Sequence, residues 1–242
     1  MPSLSLALGI NNSRKPLGGG SAPSPLLTGL LAYWNLDTTS WLDSSGNDYT
    51  LTNSDSVTLG TGIISNGADA GSAVGQLSRN TILTQPFTVS LWVKCNDFNG
   101  QTEQGFPFFV DMPFGFQFFA NNGDQGLDGS VDCVTWDENE NAVKVNSSST
   151  SLNDNNWHHY VAIMDGSNIY FYVDGTSQGS TSYSSHGSPF GSGGLRMPGY
   201  DGDFLPTGNF ILDEVGIWGR VLSAPEIASL YNAGAGKTYP FT

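Results

Sequence analysis

Hydrophobic and polar residues alternate in several segments of this chain. Over residues 87–94 every second position is apolar, so one face of an extended strand would be hydrophobic. Two further apolar runs, 159–164 and 168–173, flank the turn sequence 165–167, an arrangement typical of a β-hairpin. An apolar run over 210–218 predicts another strand late in the chain. The pattern therefore favours many short strands.

The sequence also predicts one short helix near the C-terminal end. Ser223 and Glu226 have the spacing of a capping box, in which each side chain bonds a free N–H group of the other residue. Ile227 and Leu230 then begin an apolar stripe with helical spacing, and Gly234 suits the C-terminal stop. Many strands with one late helix indicate an all-β fold of two packed sheets.

The charge of the chain limits its partners. The 242 residues carry a formal net charge of −14 with only eight Lys and Arg, and such a surface repels phosphate backbones and anionic lipids. No segment approaches the roughly 20 apolar residues of a membrane span. Arg14 and Lys15 follow the first apolar run, the reverse of their order in an export signal. We expect no nucleic-acid partner, no membrane span and no short export signal.

The chain divides into an N-terminal arm and linker (1–28), a strand-rich domain (29–235) and a short tail (236–242). Gly, Ser and Pro dominate residues 18–25, a composition that forms a flexible coil when free. The arm would attach the domain to other protein chains of an assembly, although a terminal segment without a role is the competing interpretation. The candidate anchoring residues are Leu4, Leu6, Leu8, Ile10, Arg14 and Lys15.

Five motifs resemble those of laminin-G-like domains and occur in the order of that family. They lie at 29–37, at 43–47, at 87–94, at 156–175 and at 211–227. The resemblance implies a concanavalin-A-like jelly-roll β-sandwich of two antiparallel sheets, with one short C-terminal helix and an extended N-terminal arm. This fold carries lectins, adhesion modules, glycoside hydrolases and virion parts, so it says more about structure than about function.

The same resemblance implies a structural Ca²⁺ site where the first strand and its turn meet the late strand. Carried over to this sequence, the oxygen ligands would come from Asp37, Asp43, Gly46, Asn47 and Asp213. A carboxylate at Asp213 lies within an apolar strand, where it needs a cation or strong hydrogen bonds. The alternative is that these aspartates only cap turns.

Catalysis has weaker support in the sequence. A glycoside hydrolase needs two carboxyl groups at a defined separation, and Glu138 and Glu140 would lie about 6.6 Å apart on one strand face. The hydrolase motif of the family is absent, and the neighbouring Asn residues favour a turn. His158 and His159 are adjacent on a strand and point to opposite faces, so they cannot readily share a metal. We therefore expect a non-enzymatic protein.

Aromatic residues outside the expected core could contact glycans. The candidate glycan-binding residues, chosen by residue type, are Trp136, Tyr183, Tyr200, Asp201, Asp203 and Phe204. The two cysteines, Cys95 and Cys133, are too few for a zinc site, and we expect free buried thiols. A single bridge between them is the alternative.

These observations predict a structural or adhesive module with glycan binding as an added capacity. The favoured hypothesis is a bacteriophage virion component, such as a fibre or decoration protein, because an anchor-like arm precedes an acidic sandwich. The alternative is a free or cell-surface carbohydrate-binding module, in which case the localisation is extracellular. A glycoside hydrolase comes third.

Overall fold

The computed structural model describes residues 23–54, 56–71, 76–80, 83–98, 108–112, 116–120, 129–136, 141–183, 194–197 and 210–242. These residues form 15 strands and one α-helix, with short 3₁₀ turns at Pro25–Leu27 and Asn232–Gly234. The elements are β1 (Leu30–Trp34), β2 (Thr52–Asn53), β3 (Thr58–Thr61), β4 (Asn66–Gly71), β5 (Leu77–Arg79), β6 (Phe87–Cys95), β7 (Phe108–Met112), β8 (Phe116–Ala120), β9 (Val131–Trp136), β10 (Ala142–Asn146), β11 (Trp157–Met164), β12 (Asn168–Val173), β13 (Thr176–Ser182), β14 (Leu195–Met197), β15 (Phe210–Trp218) and α1 (Ala224–Tyr231).

The strands form two antiparallel sheets. Sheet A has eight strands in the order β13-β12-β11-β6-β15-β4-β3, with β1 pairing β15 beside this path. Sheet B has seven strands in the order β10-β9-β8-β7-β14-β5-β2. The non-consecutive neighbours show that the chain crosses repeatedly between the sheets. The predicted jelly-roll β-sandwich is confirmed.

The main core lies between the sheets and follows the predicted alternation. Phe87, Val89, Leu91 and Val93 of β6 are all at most 2 % exposed and belong to one core cluster. Across the gap, Phe118 of β8 packs against sheet A, with ring centroids 6.1 Å from Tyr160 and 5.7 Å from Phe171. Apolar residues at every second position of both sheets therefore form one continuous interior.

The outer face of sheet A carries a second hydrophobic cluster, formed with both ends of the described chain. Leu26 and Phe241 are each 2 % exposed and pack there with Trp218 and the helix residue Ile227. The indole of Trp218 donates a 2.7 Å hydrogen bond to the carbonyl oxygen of Leu26. Residues 25–28 and 236–242, assigned from the sequence to linker and tail, therefore contribute to the packed domain.

The predicted helix is confirmed with a small change at its end. The Ser223 N–H donates to Glu226 Oε2 at 2.8 Å, as the capping box predicts. The helix ends at Tyr231 because Asn232 adopts the left-handed conformation with φ 49°. An Asn at this position replaces the expected stop at Gly234.

The two cysteines are free and buried in different sheets, as expected. Cys95 ends β6 of sheet A and Cys133 lies in β9 of sheet B. Burial raises the pKa of the Cys95 thiol to about 12, so this group stays protonated and unreactive at neutral pH. Among the described residues, none of the helices has the length and apolar character that a membrane crossing requires.

Candidate functional site

A β-bulge in β15 positions two acidic residues on the outer face of sheet A. Asp213 pairs with Trp92 and Gly216 pairs with Ser90, so β15 has one more residue than β6 between these pairs. The bulge is taken up at Glu214, whose φ of 49° is unusual for a residue with a side chain. Asp213 and Glu214 thereby lie beside each other in a buried setting.

Asp213 is fully buried and held by backbone donors. Its Oδ1 accepts the Glu214 N–H at 2.8 Å, and its Oδ2 accepts the Ile64 N–H at 3.1 Å. Burial, together with the charge of Glu214, raises the pKa of Asp213 to about 8. Gly62 allows this close approach, because a Cβ there would clash with Asp213 Oδ2 and with the carbonyl oxygen of Asn66.

Glu214 is 3 % exposed and lies against the first strand and the C-terminal tail. The Tyr33 hydroxyl donates to Glu214 Oε2 and also lies 3.0 Å from the carbonyl oxygen of Lys237. Glu214 Oε1 has no hydrogen-bond partner among the described residues. Burial raises the pKa of Glu214 to about 7, so the protonated acid is a substantial form near neutral pH.

Asp37 lies close enough to Asp213 and Glu214 for its charge to affect both of them. Asp37 and Asp213 belong to the same candidate site predicted from the sequence. The negative charge of Asp37 contributes to the raised pKa of Asp213 and of Glu214. Its oxygens already have partners, because Oδ1 accepts the Asn66 N–H at 3.0 Å and Oδ2 accepts the Asn35 amide at 2.9 Å. The three carboxyl groups form an acidic cluster stabilised mainly by N–H donors.

The other three predicted calcium ligands lie in a loop that covers the open edge of β1 with hydrogen bonds. Asp43 Oδ1 accepts the N–H groups of Tyr33 at 3.0 Å and Ser45 at 2.9 Å, and Oδ2 accepts the Tyr49 N–H at 3.0 Å. The Asn47 amide donates to the carbonyl oxygen of Leu31 at 3.0 Å. Gly46 is exposed at the tip of this loop with a φ of 86°, which suits a glycine.

A cation would relieve the repulsion between Asp37, Asp213 and Glu214, and the free Glu214 Oε1 is the type of oxygen that Ca²⁺ binds. However, no three Asp, Glu, His or Cys side chains converge as metal ligands anywhere in the described ranges. The acidic cluster therefore has the charge for a cation, while most of its oxygens are directed to N–H groups.

A Ser-His pair on the same outer face is not arranged for catalysis. Ser90 Oγ lies 2.8 Å from His159 Nε2, but both residues are at most 2 % exposed, so a substrate has no access. Nδ1 of His159 has no partner in the part of the chain that the structure describes, so no acid orients the ring. Burial lowers the pKa of His159 to about 3, which keeps the ring neutral.

The outer face of sheet B carries a more accessible polar group. Lys144 Nζ donates to Asp132 Oδ2 at 3.1 Å, and the Asn146 amide donates to Asp132 Oδ1 at 2.6 Å. Trp136, half-buried, follows Asp132 on the same face of β9 and lies diagonally across from Lys144 of β10. We call Asp132, Trp136, Lys144 and Asn146 the β9–β10 polar cluster.

This cluster ends a row of mostly polar positions that crosses the whole outer face of sheet B. Six steps of about 4.8 Å between neighbouring strands make the row about 29 Å long. Each position is paired with the next by the strand register, in the order Lys144, Val134, Gln117, Asp111, Arg196, Ser78 and Thr52. Lys144 and Thr52 at the two ends of this row are exposed, Gln117, Arg196 and Ser78 are half-buried, and Val134 is buried.

Only part of the predicted glycan-binding set is placed by the structure. Trp136 lies on the surface just described. The prediction for Tyr183 is wrong, because it packs in the core at 8 % exposure and its hydroxyl donates to Gln85 Oε1 at 2.8 Å. The remaining glycan candidates, the arm residues and the two glutamates considered for catalysis lie outside the described residues, namely Tyr200, Asp201, Asp203, Phe204, Leu4, Leu6, Leu8, Ile10, Arg14, Lys15, Glu138 and Glu140.

Two antiparallel sheets packed face to face define a jelly-roll β-sandwich. The chain belongs to the concanavalin A-like lectin/glucanases superfamily, whose family model matches residues 66–228, more than half of its length. No curated protein matches the chain at a significant level.

Solved structures with the same fold include binding domains of bacterial toxins. The binding domain of Paraclostridial Mosquitocidal Protein 1 is 17 % identical, with a TM-score of 0.71 over 86 % of this chain and 53 % of that one. The binding domain of botulinum neurotoxin DC, in complex with SialylT, is 13 % identical, with a TM-score of 0.68 over 86 % and 52 %. Botulinum neurotoxin type C, whose cell entry depends on two ganglioside molecules, is 14 % identical with the same TM-score and coverage.

The chain spans about half the length of these toxin domains. At such low identities the likeness demonstrates a shared fold. The ligands named for the toxins belong to the larger proteins.

Proposed function

We propose that this protein is a non-enzymatic, lectin-like adhesive module that binds glycans on the outer face of sheet B. The observation that carries the proposal is the β9–β10 polar cluster, in which a half-buried Trp136 lies diagonally across from Lys144, and Lys144 and Asn146 both bond Asp132. Membership of a superfamily that includes lectins supports it. So does a fold shared with a toxin domain in complex with SialylT and with a toxin whose cell entry depends on two ganglioside molecules.

The chemistry of the cluster suits a sugar. An indole offers an apolar surface to the C–H face of a sugar ring, while the exposed Lys144 ammonium and Asn146 amide bond its hydroxyl groups. Asp132 is only 2 % exposed and is fixed by two neighbours, whereas the Lys144 side chain is 42 % exposed and can reach a ligand. Asp132 thereby holds the two exposed donors in place, and donors that are already ordered lose little entropy on binding.

The non-enzymatic part of the proposal rests on the placement of the described acids. Asp213 and Glu214, with pKa values of about 8 and 7, resemble an acid–base pair, yet both are buried below the C-terminal segment. Asp132 is on the accessible sheet but is neutralised by Lys144. Hydrolysis of a glycan by this chain, abolished by Glu138→Gln or Glu140→Gln, would contradict this part.

A glycan array followed by calorimetry with the best ligand tests the binding proposal. Trp136→Ala should weaken binding by about tenfold or more, because it removes the stacking surface. The matched control is Trp157→Ala, which removes a half-buried Trp from sheet A and should leave affinity unchanged. No glycan bound by the wild type, or equal losses in both variants, would contradict the proposal.

A role as part of a larger assembly is the second candidate, and a bacteriophage fibre or decoration protein is its specific form. The unpaired edge of β3 among the described residues supports assembly, together with the apolar and basic arm. The module would then be located on a virion, and otherwise outside or on the surface of a cell. Immuno-electron microscopy of the native source tests this, since labelled particles would support it and labelled cell envelopes would contradict it.

Calcium binding by Asp37 and Asp213 is a separate proposal. Its support is the acidic cluster, in which the charge of Asp37 acts on both buried acids and Glu214 Oε1 is unpaired among the described residues. Backbone carbonyl or water oxygens would have to complete the ligand shell, because fewer than three suitable side chains converge in the described ranges.

A further inference from the structure

The strand edges of the sandwich are covered in different ways. The edges of β10 and β13 face each other and are joined by Thr181 Oγ1, which donates to the carbonyl oxygen of Lys144 at 3.0 Å. The Asp43 loop covers the edge of β1, as described above. The β2 edge is only two residues long. β3 is the remaining edge, and its outer side has no backbone partner within the described ranges.

The direction of the backbone groups in β3 follows from its hairpin with β4. Gly62 N–H donates to the Ser65 carbonyl oxygen at 3.2 Å, which directs the groups of even-numbered residues toward β4. Since residues two apart in a strand point the same way, the N–H and C=O groups of Leu59 and Thr61 point outward. The edge therefore offers two donors and two acceptors to an added strand.

The residue before β3 already shows this type of pairing. Asn53 Nδ2 donates to the Val57 carbonyl oxygen at 2.9 Å, and the Val57 N–H donates to Asn53 Oδ1 at 3.2 Å. The side-chain amide of Asn53 thus bonds Val57 as a backbone amide of a neighbouring strand would. An added strand would continue the same pattern at Leu59 and Thr61.

The Leu59 side chain lies at the border of the main core, next to the outer edge of β3. Leu59 pairs with Ala68, a residue of the main core, and therefore lies on the inner face of the sheet. It is nevertheless 40 % exposed, and only Leu42 and Val221 are more exposed among the large hydrophobic residues that the structure describes. β3 contains no charged residue and no proline, the two devices that usually block pairing at an edge.

We propose that residues 3–8 of a second copy of this chain add as a strand to the outer edge of β3. Leucines alternate with small residues over 4–8, so one face of the added strand would cover Leu59. Charge favours the same contact. All 22 Asp and Glu of the chain follow residue 28, whereas Arg14 and Lys15 are the only charged residues before it.

Analytical ultracentrifugation of the full chain from 1 to about 100 µM tests this proposal, over a range set by typical weak self-association. We expect self-association that increases with concentration. Leu59→Lys and Leu6→Asp should each raise the dissociation constant at least about tenfold. Leu42→Lys, an equally polar change at the most exposed leucine among the described residues, should assemble as the wild type does.

Hydrogen exchange on the wild-type chain provides a second measurement that depends on no variant. The amides of Leu59 and Thr61 should become protected as the concentration rises, and a peptide of residues 1–12 should compete for the edge. A chain that stays monomeric over the whole range would overturn the proposal, even if these amides are protected by its own arm. Wild-type assembly by Leu59→Lys would overturn it as well.

Discussion

The Trp218 indole donates a 2.7 Å hydrogen bond to the carbonyl oxygen of Leu26, 192 residues earlier in the chain. Arg220, two residues after Trp218, also bonds this N-terminal segment. Its guanidinium donates to the carbonyl oxygens of Pro25 at 3.0 Å and Thr28 at 2.7 Å. The segment 25–28 is thereby fixed on the outer face of sheet A.

This contact predicts where the N-terminal arm can be removed. At concentrations where the chain is monomeric, deleting residues 1–22 should leave the free energy of unfolding unchanged, whereas deleting 1–28 should lower it by about 3 kcal/mol. The difference comes from losing the buried Leu26 side chain and its neighbouring hydrogen bonds. Urea denaturation of the two truncated chains checks this, and equal stabilities would show that the segment 25–28 contributes nothing.

The loop from Asp43 to Tyr49 predicts a stability effect that is independent of metal. Asp43→Ala should lower the free energy of unfolding by about 2 kcal/mol, because three backbone N–H groups lose their acceptor. Asp48→Asn, at an exposed residue of the same loop whose φ of 63° suits Asn as well as Asp, is the matched control and should be near neutral. The loss should be the same with calcium and with chelator. A loss seen only with calcium would make Asp43 a metal ligand instead.

The acidic cluster gives the corresponding test for calcium. If Asp37 and Asp213 hold Ca²⁺, excess calcium should raise the melting temperature above its value in chelator, because the ion binds only the folded state. Asp213→Asn should abolish the difference between the two conditions while keeping the side chain close to its original size. Identical melting of the wild type in both conditions would contradict calcium binding. The N–H groups of Ile64 and Glu214 would then be sufficient to stabilise the buried Asp213.

The ion pair between Arg220 and Glu226 predicts a pH dependence. Hydrogen bonding to Arg220 lowers the pKa of Glu226 from 4.5 to about 2. A lowered pKa of an acid means that its stabilisation is complete above about pH 4.5 and is lost as the pH falls toward 2. The melting temperature of the wild type should therefore exceed that of Glu226→Gln most clearly near pH 6. The gap should close between pH 4.5 and 2, and a constant gap would contradict this assignment.

Strands β6, β11, β12 and β15 and the helix could be predicted from the sequence because burial on one face imposes a simple period. β6 shows every second residue in the core, and the hairpin of β11 and β12 has its turn at the predicted residues. The bulge at Glu214 could not be predicted. A single inserted residue with positive φ has no sequence signal unless it is a glycine.

The candidate site was harder to predict than the fold because it depends on partners distant in the sequence. An aspartate that binds N–H groups looks the same in a sequence as one that binds a cation, which explains the prediction made for Asp43. Tyr183 packs in the core, and its hydroxyl donates a hydrogen bond to Gln85, 98 residues away. In β9 the core residues Val131 and Cys133 alternate with Asp132, Val134 and Trp136 of the outer face. This alternation was the available sequence signal for the outer face of sheet B.

Residue-resolved NMR titration with a glycan selected on an array tests the central claim most directly. If the outer face of sheet B is the binding surface, amide signals of 131–136 and 142–146 should shift together, and the indole signal of Trp136 should shift with them. Signals of 157–164 in sheet A should stay in place. Shifts confined to sheet A, or the absence of shifts at saturating glycan, would contradict the account.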